Sequence, residues 1–141
     1  PRKSMACDSY GKPFVTSGVL IDRSDSMIVM GLPGTEYQLH LRISQAVPAA
    51  HGDRVCGQIH ARARRIDKAP SGGRYIEPIY GRPRRIQGRT AATDPQSHTI
   101  TVDCGCLIRC ELTADQKPSD FNVGDLVTFD VERGARFAPI Q

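Results

Sequence analysis

Arg62, Arg64, Arg65, Lys68, Arg74, Arg82, Arg84, Arg85 and Arg89 crowd into one stretch of the chain. Tyr75 and Tyr80 sit among them, beside Gly72, Gly73 and Gly81. The guanidinium fork matches a phosphate with two parallel donors, and an exposed tyrosine offers a face on which a base can stack. The charge is segregated. Residues 54–89 carry ten Lys/Arg against two Asp/Glu, residues 90–141 carry four against eight, and residues 1–53 carry five of each. Two readings follow. Arg62, Arg64, Arg65, Arg74, Tyr75, Tyr80, Arg82, Arg84, Arg85 and Arg89 form a mobile surface for single-stranded nucleic acid or another polyanion. Alternatively, they belong to a solvated linker whose arginines pair with the acidic last third of the same molecule.

Cys104, Cys106 and Cys110 are the next group with chemical potential. Zinc sites favour paired Cys-x-x-Cys or Cys/His spacings, and Cys-x-Cys-x-x-x-Cys departs from that pattern. Ile100, Val102, Cys104, Cys106, Ile108, Cys110 and Leu112 share one parity. A reversal near Gly105 would put Cys106 and Cys110 in the core as small apolar residues, with Cys104 exposed in the turn. Five cysteines is an odd count, which points to reduced thiols and a cytoplasmic location rather than a disulfide framework. His40 and His60 fall on the polar faces of strands, and His51 and His98 fall in loops. No nucleophile elbow, phosphate-binding loop or zinc-protease spacing occurs. No catalytic residue, metal site or cofactor is therefore expected.

The elements that position these residues read as strands. Tyr37, Leu39, Leu41 and Ile43 alternate with polar residues, and Val55 to Arg64 alternates likewise, with His60, Arg62 and Arg64 on the wet face. Val127 to Glu132 repeats the pattern with an acidic wet face. Leu32-Pro33-Gly34-Thr35 suits a type II turn, Asp94-Pro95-Gln96-Ser97 a type I turn, and Arg133-Gly134 a hairpin turn. Residues 46–51 and 113–120 can each hold a turn of helix. No apolar run of roughly 18 residues exists, so no membrane span is expected. A shared order runs through both halves: glycine, β-run, glycine, β-run, then Gly-Asp-x-Val. Gly18 to Gly88 and Gly52 to Gly124 give offsets of 70 and 72 residues.

Phe121 to Gly134, with its Gly-Asp-Leu-Val-Thr-Phe-Asp-Val core, resembles the last hairpin of cold-shock and related OB-fold domains. The resemblance implies a strand, a glycine turn and a final strand. The family's aromatic RNA-contact motif has no counterpart here, so no contact residue is carried over.

The expectation is an all-β chain of two tandem small OB-like β-barrel units related by internal duplication. An N-terminal segment (1–16) precedes the first unit (17–66). A basic connector (67–86) leads to the second unit (87–141). A single larger barrel or sandwich is the competing architecture. The expected role is a non-enzymatic binding module; a structural or protein-interaction protein without nucleic-acid affinity is the alternative.

Overall fold

A computed structural model describes residues 14–140. The expected N-terminal segment therefore lies almost wholly outside the described residues. β1 (Thr16–Arg23), β2 (Met27–Gly31) and β3 (Gln38–Arg42) form an antiparallel meander. β4 (Arg54–Ala63) returns to pair with β1. The stretch expected as a connector holds a two-residue strand, β5 (Asp67–Lys68), then β6 (Tyr75–Ile79) and the start of β7 (Arg82–Asp94). β6 and β7 pair as a hairpin. β7, β8 (Thr99–Asp103) and β9 (Leu107–Glu111) form a second meander, and β10 (Leu126–Pro139) closes the sheet. The helical content expected near residue 118 is one 3-10 turn at Pro118–Asp120. Residues 46–51 form none, and their backbone instead leads into a tight turn at His51-Gly52.

β4 and β10 explain how ten strands become one sheet. β4 pairs with β1 through its first residues, antiparallel with β10 along its length, and parallel with β9 through Ile59 to Arg62. β10 pairs with β7 through Leu126 to Asp130 and runs parallel to β3 at Arg136. The sheet thus closes on itself twice, as β1-β2-β3-β10-β4 and as β7-β8-β9-β4-β10. Both rings use the β4–β10 pair.

The expected hairpin turn at Arg133-Gly134 is absent. Both residues have positive φ, 63° and 75°, yet the chain goes straight on as β10. The register with β4 slips between Glu132 (opposite Arg62) and Arg136 (opposite His60). This is a bulge, in which extra residues bend a strand without reversing it. The final strand implied by the cold-shock resemblance is therefore the same strand, redirected into the other ring.

Period-two burial holds in β3, the second half of β4 and the first half of β10. Leu39 and Leu41, Ile59, Ala61 and Ala63, and Val127, Phe129 and Val131 are buried, while the residues between them reach solvent. Residues from both rings, including Leu20, Val55, Ile86, Val102, Phe129 and Phe137, belong to one apolar cluster.

Several details recur across the two offsets. Gly18 packs on the Gly31 carbonyl and Gly88 on the Asp103 carbonyl. β1 is bulged between Leu20 and Asp22, and β7 between Thr90 and Ala92. Leu20 exchanges backbone hydrogen bonds with Asp53 and Gly52, as Thr90 does with Asp125 and Gly124. The Asp53 carboxylate accepts from the Ala50 N–H and Asp125 from the Asn122 N–H, each at 2.9 Å.

A Cβ on Gly88 would collide with the Asp103 carbonyl group, which is backbone and cannot swing away. Gly88→Ala is expected to destabilise the fold by about 3 kcal/mol through overpacking. Gly73→Ala, where a Cβ meets open space, should change stability by under about 0.5 kcal/mol. Urea denaturation of the two variants checks this; equal midpoints would mean that β7 and β8 separate freely at Gly88.

Candidate nucleic-acid interface

The ten residues singled out from the sequence divide in two. Ion pairs or hydrogen bonds hold one group. Arg62 pairs with Glu111 at 3.5 Å. Arg65 lies between Asp67 at 3.5 Å and Asp115 at 3.0 Å. Arg74 meets Asp103 and Arg85 meets Asp130, both at 3.1 Å. The Tyr75 hydroxyl and the Asp130 carboxylate hold the Arg85 guanidinium in its charged form, above its ordinary range. Arg89 donates to the Gly124 carbonyl at 3.1 Å. Every one of those acids except Asp67 comes from residues 90–141, so folding cancels part of the charge segregation along the chain.

Arg64, Arg82, Arg84 and Tyr80 form the other group. Together with Arg42 and Arg133 they line a groove of about 850 Å³, floored by Ile79, Pro83 and Val131. Among the described residues no carboxylate lines it, and Arg42, Arg64, Arg84 and Arg133 make no ion pair. Arg82 reaches only the Met27 sulfur, at 3.9 Å.

The elements explain the arrangement. Arg64 leaves the end of β4 with its N–H donating to the Asp130 carbonyl. Arg82 and Arg84 stand at the start of β7. The link between β6 and β7 is a two-residue turn: Ile79 faces Arg82, and Tyr80 and Gly81 take φ of 52° and 79°. Positive φ at both centres is the turn whose twist suits a hairpin. The Gly81 carbonyl accepts from the His40 N–H at 2.9 Å, and a side chain at Gly81 would collide with the His40 ring. The hairpin is thereby pinned to β3, and of the two possibilities for this stretch, a strand pair or a loop, it forms the strand pair. Tyr80 at that tip is 93% exposed, and Ile79 beside it is 48% exposed.

Arg42 and Arg133 were not among the sequence candidates. Each is far along the chain from the basic stretch; the His40–Gly81 hydrogen bond sets β3 against the β6–β7 tip, and the pairing of β10 with β4 and β3 brings in Arg133. The one local signal was the φ-permissive Arg133-Gly134 pair.

The thiols are placed elsewhere. Cys104, Cys106 and Cys110 are free and buried. The expectation of an exposed Cys104 fails: Asp103 faces Leu107, the loop is Cys104-Gly105-Cys106, and Gly105 at φ 112° folds both flanking side chains inward. The Cys104 N–H donates to the Cys106 carbonyl at 3.1 Å. Contact with Cys104 and then burial push the Cys106 thiol well up, and burial does the same to Cys110. Neither is a thiolate at neutral pH. Cys56 is disulfide-bonded, so the expectation of uniformly reduced thiols does not hold there. Among the described residues no group of three or more His, Cys, Asp or Glu is arranged to hold a metal ion, and no helix is long and apolar enough to cross a membrane.

No protein-family model matches the chain, and neither a curated protein nor a solved structure is detectably similar to it. The groove must speak through its own chemistry.

Proposed function

We propose that the protein is a non-enzymatic binding module that takes single-stranded nucleic acid in the groove between β3, the β6–β7 tip and the bend of β10. One observation carries this reading: five arginines face a shared groove that contains no carboxylate among the described residues, beside a tyrosine that is almost fully exposed. Arginines that lack acids are free to neutralise backbone phosphates, and an aromatic ring in water offers a sequence-tolerant platform for a base. The double ring supports the same reading as scaffold. We read each five-stranded ring as a small barrel of OB-like type, and the recurring glycine, bulge and Gly-Asp contacts as the trace of a duplicated unit. Fold of this kind hosts many tasks, so the groove and not the scaffold bears the functional weight. A cytoplasmic location is the part of the reading that the Cys56 disulfide speaks against, because such bonds persist in oxidising compartments.

The test is fluorescence anisotropy with labelled single-stranded DNA, single-stranded RNA and a duplex. The expected result is binding of single strands that weakens steeply with salt. A Tyr80→Ala variant should bind single strands about tenfold more weakly, in line with the loss of ~1–3 kcal/mol per stacked base. Absence of binding to every nucleic acid at low salt would overturn the reading and leave a protein-interaction module, for which the exposed Ile79 and Tyr80 would be the contact.

A further inference from the structure

A second cleft, of about 360 Å³, opens on the far side of the β10 bend and shares Arg42, Arg133 and Gly134 with the groove. Strand register builds it. Arg42 on β3 faces Arg136 on β10, Arg136 faces His60 on β4, and His60 faces Arg109 on β9. Four adjacent strands thus carry three arginines and a histidine in one cross-strand row. Directly opposed like charges destabilise a sheet. The neighbouring row is built the other way: Glu132 on β10 faces Arg62 on β4, which faces Glu111 on β9. Its charges alternate and compensate. Among the described residues the first row has relief only at its end, where Arg109 reaches Asp94 at 3.5 Å and the Ser97 hydroxyl at 3.3 Å.

We propose that the Arg42–Arg136–His60–Arg109 row is a phosphate subsite, so that the bound strand continues from the groove across the β10 bend into the second cleft. The inference rests on the function proposed above and extends it. The partner is an extended strand rather than a mononucleotide or a short end. Arg42 and Arg133 touch both clefts and join the two halves of the track. An uncompensated row makes chemical sense when its counter-charge arrives with the ligand.

His60 gives the subsite a proton dependence. Burial, then Arg109, then Arg136 hold its imidazole below the ordinary histidine range. The other charges lining the cleft are Arg42, Arg62 and Arg133 and the carboxylates of Glu111, which pairs with Arg62, and Glu132, which stands opposite Arg62. A phosphate placed beside the ring favours the imidazolium, so the bound state has the higher pKa. Affinity then rises as pH falls through the bound value and levels off below the free one.

The experiment compares oligodeoxythymidylates of about 4 and about 16 nucleotides, the span of site sizes for single-strand clefts. The proteins are wild type, an Arg136→Gln/His60→Gln double variant, a His60→Gln single variant and an Arg82→Ser/Arg84→Ser double variant. The double cleft variant is expected to bind the long oligonucleotide about tenfold more weakly and the short one within about twofold. The groove variant should weaken both. Lowering the pH from about 8 to about 6 should strengthen long-strand binding severalfold in wild type and not in His60→Gln. Thermal melting guards against misfolding: relief of like-charge opposition should leave Arg136→Gln/His60→Gln at least as stable as wild type. If the double cleft variant binds both lengths as wild type does, the subsite is overturned and the groove stands. If wild type binds neither length, the proposed function falls and the subsite with it.

Discussion

Replacing Arg42, Arg64, Arg84 and Arg133 by serine is expected to remove most single-strand affinity, whereas replacing Arg62, Arg65, Arg74 and Arg85 should change it by about twofold or less. The two variants lose the same formal charge, so a general electrostatic effect would weaken them alike. What separates them is the state of the guanidinium before binding. The second set is committed to Glu111, Asp115, Asp103 and Asp130. A phosphate would have to displace a carboxylate to use any of them. The first set has no such partner among the described residues. If each of the four meets one phosphate, the slope of log affinity against log salt should become shallower by about 2.8, at ~0.7 per contact for single strands. The second set loses only exposed ion pairs, each worth ~0–1 kcal/mol of stability. Anisotropy titrations over a salt series read both quantities. Equal losses in the two variants would mean that the whole basic stretch, not the groove, meets the ligand.

Phe129→Ala and Phe137→Ala should each destabilise the whole protein by about 3–5 kcal/mol and shift one single unfolding transition. Both rings are almost completely buried, at 2% and 1% exposure. Phe129 sits where β10 pairs with β7, opposite Ile86, and Phe137 where it pairs with β4, opposite Ile59. Gly57 makes room for the Phe137 ring, which any Cβ there would strike. The loss is a large part of the ~5–15 kcal/mol that stabilises an ordinary domain. At this chain length it corresponds to a fall in Tm on the order of 10 °C or more. The single transition follows from connectivity, because β4 and β10 each complete both closed circuits of the sheet. Loss of the shared β4–β10 pair opens both circuits at once. Differential scanning calorimetry checks the claim: two resolved transitions, with Phe129→Ala moving one of them alone, would show that the halves unfold separately.

Properties that depend on a few neighbouring residues are legible in the amino-acid sequence alone. Alternation from Tyr37 to Ile43 and from Val127 to Val131 reports which face is wet, since side chains on a strand take opposite sides in turn. Pro33-Gly34 supports its turn by restricting one φ and freeing the next; Gly34 adopts 78° and Thr35 donates to the Leu32 carbonyl. The glycine and Gly-Asp spacings pick out positions that make matching contacts. Everything that requires knowing which edge a strand meets is decided by the tertiary structure. Arg133-Gly134 has the composition of a hairpin turn, yet β4 and β3 offer β10 further pairing, so the same two residues make a bulge and the strand goes on. The basic stretch reads as one cationic block, yet acids brought from residues 103–130 pair with part of it and leave Arg64, Arg82 and Arg84 beside two distant arginines. Cys104 has the parity of the core and the position of a turn, and the register of Asp103 with Leu107 settles it inward. Local stereochemistry and hydrophobic period are written in adjacent residues; pairing partners, charge cancellation and the shape of the groove arise only when residues distant along the chain compete for the same edges and counter-charges.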